Sequence, residues 1–518
     1  MVEKIKIHKG LDIPLGGAAE PRVADRRDIA LYGIMPEDFV GFTPRLEVHE
    51  GDHVECGQTV LSDKKDPRIR LTSPVCGTVK EVRRGDRRAI TAVVIEKEGE
   101  QKRWSCDLER LKSSEGVIEA MTECGLWAMM RQRPFGTIAN PDDKPRDIFI
   151  SLFDTAPLAP CPGRALSVAC PGRAIKFSCP DRALSVSCLD GANNNQWLTA
   201  GLNALAMLTE GKVHVCVRNF EFRNLNFKKN IVFHEVSGPH PAGNIGTQIA
   251  AIAPLNKGER VWTMNPQDVM TLGRLVTTGE YVPERHVAVT GPAAVHPQYY
   301  HITAGASLEE LLRGQLSSEE YPKLEGRGMK AEGRGMKAEG GGLRDEGRGT
   351  RVISGNVLSG RAVGVEGFVG AYDSQVTLIE EGNEYDFMGW LMPGLRKHSF
   401  SRTFLSGVLN RSDRNMVTSN LTQVTHHRSL ITYKFNTNLH GGERPLVFSG
   451  DFERVFPFDI YPTQLIKAAI VGDIDLMEQL GIYEVEPEDF ALCEYIDPSK
   501  TEIQSIIREA LNKLKIES

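Results

Sequence analysis

The stretch from Val40 to Glu96, VGFTPRLEVHEGDHVECGQTVLSDKKDPRIRLTSPVCGTVKEVRRGDRRAITAVVIE, constrains the fold most. Val48, Val54, Val60, Leu61, Ile69, Leu71, Val75, Val79, Val82, Ile90, Val93 and Ile95 fall in short apolar runs. Gly51-Asp52, Gly57-Gln58, Asp66-Pro67, Ser73-Pro74, Gly77 and Gly85-Asp86 punctuate those runs and mark turns. Strands so short bury little surface alone. The pattern therefore predicts small antiparallel strands folded over one another as a compact sandwich.

The phrases EGDHVECGQTVLSDKK and LTSPVCGTVKEV resemble the barrel-sandwich modules of biotinyl and lipoyl carriers, in which a lysine on a hairpin tip bears the cofactor. That resemblance nominates Lys64 or Lys65. The tip SDKKDPRIR is longer than a carrier hairpin and stiffened by Pro67, and no stretch resembles an acyltransferase or carboxylase. A structural module is the favoured reading, with a carrier as the alternative.

At 518 residues the chain has room for three or four domains. A net charge of -6 gives no electrostatic case for nucleic acid, whose binders carry a basic stripe. No run of about 18 apolar residues occurs, and MVEKIKIHKGLDIPLGG has no signal-peptide core. A cytosolic chain, or one held on the cytosolic face of a membrane by other proteins, is expected. Ten cysteines make neither a disulfide framework nor a CxxC.

Four units follow from the patterning. Residues 1–112 form the sandwich, with Ile5 and Ile7 in an edge strand that turns at Gly10. Residues 113–283 open with an amphipathic helix from Glu115 to Arg131, then alternate strand and helix as a Rossmann-like α/β layer with a largely parallel sheet. Residues 284–363 read as strand, strand, helix, strand, a small β-grasp with Ser307 and Glu310 as a capping box. Residues 364–518 are mixed, then helical over Thr463–Ala469, Ile474–Leu480 and Thr501–Leu514.

Two inserts interrupt this plan. A nine-residue period with cysteines at 161, 170, 179 and 188 matches no zinc or cluster spacing and reads as repeat expansion. EGRGMKA repeats over about 319–349 lack core-forming residues and predict a disordered loop. His426 and His427, adjacent in a polar stretch, read as surface residues. The loop SGPHPAGNIGT has the glycines that let backbone amides approach a ligand, without the GxGxxG spacing. A nucleotide site and a structural or partner-facing turn both stay open there.

KIHKGLDIPLGG, GDHVECGQTVLSDKKDP, LTSPVCGTV, ECGLWAMMRQRPF, LTEGKVHVCV, SGPHPAGNIGT, GASLEELL, RVISGNVLSG, DFMGWLMPG and FERVFPFDIYPT resemble, in order, the A subunits of the sodium-translocating NADH:quinone reductases (Na+-NQR). The resemblance implies a peripheral subunit on the cytoplasmic face of a bacterial inner membrane. It implies partnership with subunits B to F of a six-subunit complex that uses NADH, ubiquinone, flavins, Fe–S and Na+. It also implies a plan like that of the flavin-bearing subunit of respiratory complex I, with an SLBB-like grasp. Where those relatives carry a glycine-rich flavin loop, this chain has Gly125, Trp127, Met129 and Arg131; where they carry four cluster cysteines, it keeps Cys493. No cofactor bound by this chain, no metal and no catalytic residue of its own are therefore expected.

On the quinone side, the candidate quinone or partner loop holds Gly238, His240, Gly243, Gly246 and Thr247, with His240 as donor. A quinone pocket is expected to be apolar and aromatic with few polar groups. The alternative function is a soluble flavin- or NADH-dependent oxidoreductase, which rests on the α/β layer and this loop.

Overall fold

The computed structural model describes residues 3–159, 192–218, 227–316, 349–382, 393, 435–438 and 442–517. The cysteine repeat, the EGRGMKA repeats, His426 and His427 lie outside the described residues.

The sandwich is built as its pattern requires. Leu31–Ile34, Ile90–Lys97, Gly77–Arg84 and His53–Val54 form one sheet, and Pro44–Leu46, Thr59–Asp63 and Arg70–Thr72 the other. Every pairing is antiparallel. Val54, Val60, Leu61, Val79, Val93 and Ile95 fill the space between the sheets. Lys64 and Lys65 are not buried, but the tip that carries them is tied to the next unit. Arg68 bridges Asp66 at 2.7 Å and Asp142 at 2.6 Å.

The α/β unit is a seven-stranded sheet in the order Glu3–Lys6, Ile231–Ser237, Val213–Val217, Asp147–Ser151, Val261–Thr263, Arg131–Arg133, Thr137–Ile138. The first five run parallel, Arg131–Arg133 runs against them, and Thr137–Ile138 pairs antiparallel to Arg131–Arg133. Val213–Val217 is buried along its whole length, as a central parallel strand covered on both faces must be. Two expectations change here. Ile5 and Ile7 do not edge the sandwich: Glu3–Lys6 pairs with His234–Ser237, because both isoleucines join the apolar patch of Phe153, Val236 and Ala242. The helix expected to reach Arg131 covers Ser114–Glu123, capped by Ser113, whose Oγ accepts from the Gly116 N–H at 3.1 Å.

Gly125 ends that helix at φ +82, with the Thr72 hydroxyl 2.4 Å from where a Cβ would stand. A short 3-10 turn, Leu126–Met129, then sends Trp127 into the core. The Trp127 indole N–H donates to the Ala139 carbonyl at 2.8 Å and its ring meets Trp262 edge-on at 5.4 Å.

The grasp sheet has six strands in the order Arg361–Ala362, Thr350–Ser354, Gln375–Glu380, Glu284–Thr290, Gln298–Thr303, Glu20–Asp25. Gln375–Glu380 lies beyond residue 363 yet runs parallel to Glu284–Thr290 at the centre, with Val376 and Leu378 fully buried, so this unit extends to Glu380. Glu20–Asp25 supplies the far edge from the N-terminal segment. Ser307 precedes helix Leu308–Leu311 without a side-chain cap. Glu310 does not close a box; its carboxylate accepts from the Ala30 N–H at 2.7 Å. The helical end, Phe452–Val455, Pro462–Val471, Ile474–Gln479, Ala491–Ile496 and Ile503–Glu517, packs around Phe456, Phe458, Phe490 and Leu511.

Candidate functional site

From Asp147–Ser151 the chain moves to one side of the sheet, to Val213–Val217 and Ile231–Ser237, then returns to the other side at Val261–Thr263. The strand order thus reverses between Asp147–Ser151 and Val261–Thr263. A crevice off the carboxyl ends of strands at such a reversal is where open α/β sheets bind ligands. A cavity of about 220 Å³ lies there, bounded by residues 151–154, 243–245 and 265–267 of the α/β unit. The grasp unit adds Arg285, His286 and Tyr372, and the helical end adds Glu488.

Its charged groups come from different elements. Arg131 stacks on the Tyr372 ring, 4.9 Å from the centroid, while the Tyr372 hydroxyl donates to the Ala128 carbonyl at 2.8 Å. Arg285 donates to Asp268 Oδ1 at 2.5 Å. Burial pushes the Asp268 carboxyl up, against the pull of Arg285 and Arg131. Arg133, buried beside the cavity, binds Glu488 at 2.6 Å, Asp489 at 3.1 Å and Glu486 at 3.4 Å. Glu488 is held below its ordinary range: burial would raise it, and Arg133 followed by Arg131 outweighs burial.

The candidate loop divides. His240 and Gly243 line the cavity. His240 is buried, its Nδ1 lies 3.2 Å from the Thr155 hydroxyl, and burial lowers its pKa to about 4, keeping the imidazole neutral. The same hydroxyl accepts from the Gly243 N–H at 2.9 Å, and a Cβ on Gly243 would stand 2.6 Å from the Thr155 nitrogen. Gly238, at φ +145, faces Ile7. Gly246 faces the Arg133–Asp489 pair, and Thr247 is buried in helix Ile245–Ile252. The loop is thus mostly buried, and it is held by the N-terminal segment: the Leu11 N–H donates to the His240 carbonyl and the His240 N–H to Asp12, at 2.8 and 2.9 Å.

Of Gly125, Trp127, Met129 and Arg131, only Arg131 lines the cavity. Sequence reasoning missed Arg285, Asp268, Tyr372 and Glu488, which lie far apart in the chain. The lining is rich in charged and amide side chains, unlike the apolar slot expected for a quinone. At about 220 Å³ it is also smaller than the roughly 300–1,000 Å³ of drug-sized ligand pockets, so a whole flavin nucleotide does not fit. Cys493 is buried in the helical core, where burial pushes its thiol up. Cys56 and Cys124 are pushed up to about 12 in the same way, and no three His, Cys, Asp or Glu side chains among the described residues are grouped to hold a metal. Cys493, the one cysteine of that helical core, does not by itself fit an Fe–S cluster, which takes four thiolates.

The chain matches the NqrA N-terminal barrel-sandwich hybrid domain over residues 5–98, the NqrA second alpha/beta domain over 112–170 and 180–281, and the NQRA C-terminal domain over 286–323. The skipped residues, 171–179, span one period of the cysteine repeat. It is 33% identical to the A subunit of the Na(+)-translocating NADH-quinone reductase of Yersinia pseudotuberculosis serotype I (strain IP32953), across 99% of this chain and 100% of the relative. It is 34% identical to that of Histophilus somni (strain 2336), with the same coverage. A crystal structure of an NAD+-reducing [NiFe]-hydrogenase in the H2-reduced state aligns with 79% of this chain and 62% of its own, at a TM-score of 0.32 and 11% identity, too remote to carry an argument. The full-length relationships and the three domain matches in one order show that the chain belongs to the NqrA family, the A subunits of the Na+-translocating NADH-quinone reductases.

Proposed function

We propose that this chain is the NqrA component of a complex that couples NADH oxidation and ubiquinone reduction to Na+ export. It works as a peripheral subunit on the cytoplasmic face of the membrane, beside the quinone-reducing end, with subunits B to F as partners. The carrying observation is the relationship over 99% of the chain to proteins of that name. No helix among the described residues is long and apolar enough to cross a membrane, which suits a subunit docked on others. The chain contributes no flavin and no Fe–S cluster of its own. A buried lone Cys493, and a crevice too small for a flavin nucleotide, support this. The Gly238–Thr247 loop serves as one wall of the polar cavity, with His240 and Gly243 facing a ligand, and not as a slot for an isoprenoid quinone. The test is affinity purification through a tag on this chain from detergent-solubilised membranes. The proposal expects Na+-stimulated NADH:quinone reductase activity to follow the tag; activity that stays behind while the chain elutes alone would overturn it.

A further inference from the structure

Arg131, at the start of strand Arg131–Arg133, and Arg285, on strand Glu284–Thr290, reach the switch-point cavity from different sheets. Both line the cavity, and both pull on the same two buried carboxyls, Asp268 and Asp373. Arg285 commits one Nη2 to Asp268. Arg131 has no carboxylate within ion-pair distance among the described residues; its flat face is covered by Tyr372. Buried Asp268, Asp373 and Glu488 act on Arg131 at longer range, but among the described residues none of them takes its N–H groups, which leaves those donors for a bound anion.

Two helices open onto the same space. Ile245–Ile252 and Pro266–Thr278 begin at Asn244 and Asn265, and neither asparagine caps its helix with its side chain. The Asn265 amide is turned away, donating to the Tyr372 carbonyl at 3.2 Å. The first-turn N–H groups of Ile245–Ile252 therefore add a positive end to the two arginines, and Gln267 adds an N–H from the second helix, whose first residue is Pro266 and whose first turn carries Asp268. Two carboxylates also line the cavity. Glu488 is engaged by Arg133 at 2.6 Å, while Asp154 accepts the Ala156 N–H at 2.8 Å through one oxygen. A carboxylate has about four acceptor positions, so Asp154, which lines the cavity, keeps room for a hydroxyl beside the Ala156 and Thr155 N–H groups.

We propose that this cavity binds a small hydroxylated organic phosphate, with its phosphate between Arg131, Arg285 and the two helix starts and a hydroxyl on Asp154. A volume of about 220 Å³ suits a sugar phosphate and excludes a dinucleotide. This site is additional to the chain's place in its complex, and its failure would leave the family assignment untouched.

Calorimetric titration of the full-length chain at low ionic strength, with ribose 5-phosphate, inorganic phosphate and ribose as probes, tests it. The expected order is saturable binding of ribose 5-phosphate, weaker binding of inorganic phosphate and none of ribose. Arg131→Gln should weaken both phosphates by about tenfold, the scale of one charge-assisted hydrogen bond. Asp154→Asn should weaken ribose 5-phosphate and spare inorganic phosphate. No saturable phosphate binding, equal binding of ribose, or undiminished binding to Arg131→Gln would each overturn the proposal. Should that variant fail to fold, amide exchange on the wild-type chain decides: ribose 5-phosphate should protect residues 244–248 and 267–269, and no protection there overturns it.

Discussion

His240 shows how a buried side chain makes stability depend on pH. Burial depresses its pKa from 6.5 to about 4, so the unfolded chain takes up a proton that the folded chain refuses. The stabilisation is complete above pH 6.5 and is lost as pH falls towards 4; at about 1.36 kcal/mol per pKa unit it is on the order of 3 kcal/mol. Denaturant titrations at stepped pH should show stability falling across that window, and His240→Gln should flatten the slope. Gly246 offers a steric test. A Cβ there would lie 2.4 Å from Asp489 Oδ1 and 2.6 Å from Arg133 Nη1, so Gly246→Ala should destabilise by about 1–3 kcal/mol, the usual cost of overpacking. An unchanged midpoint in denaturant would show that the ion cluster yields freely.

Among the elements, the strand Arg131–Arg133 joins the sheet to the helical end. Arg133 is buried with three acids from residues 486–489, and removing it strands their charge in the interior. Arg133→Met should cost roughly 3–5 kcal/mol by chemical denaturation, the range for breaking one side of a buried ion pair. A loss below about 1 kcal/mol, as for a surface pair, would contradict the docking role. Elements were legible in the sequence where period and punctuation agreed. The valine-rich sandwich strands and the helices near Thr463 and Ile474 stand close to where the pattern puts them. The helix from Glu115 was overextended because Leu126, Trp127 and Met130 keep an apolar spacing past Gly125, and only the left-handed turn and the Thr72 contact reveal the break. His240 and Gly243 were reachable from the loop's composition. Arg285 and Glu488 were not, since tertiary packing alone brings them beside Arg131.

Across the whole molecule, the first 34 residues thread every unit. Glu3–Lys6 edges the α/β sheet, Ile13 enters the helical core, Glu20–Asp25 edges the grasp and Leu31–Ile34 belongs to the sandwich. Local patterning could not show this, because an edge strand carries no mark of which sheet it joins. Deleting residues 1–25 should therefore loosen three units at once, and calorimetry should show the main transition lowered and split; one unaltered transition would contradict that role. The proposal most open to direct test is that this chain works in its complex without a redox centre of its own. Flavin and iron extracted from the isolated full-length chain, read with its visible spectrum, test it most directly. The account predicts substoichiometric traces of both and no band near 450 nm, and one flavin or one cluster per chain would contradict it.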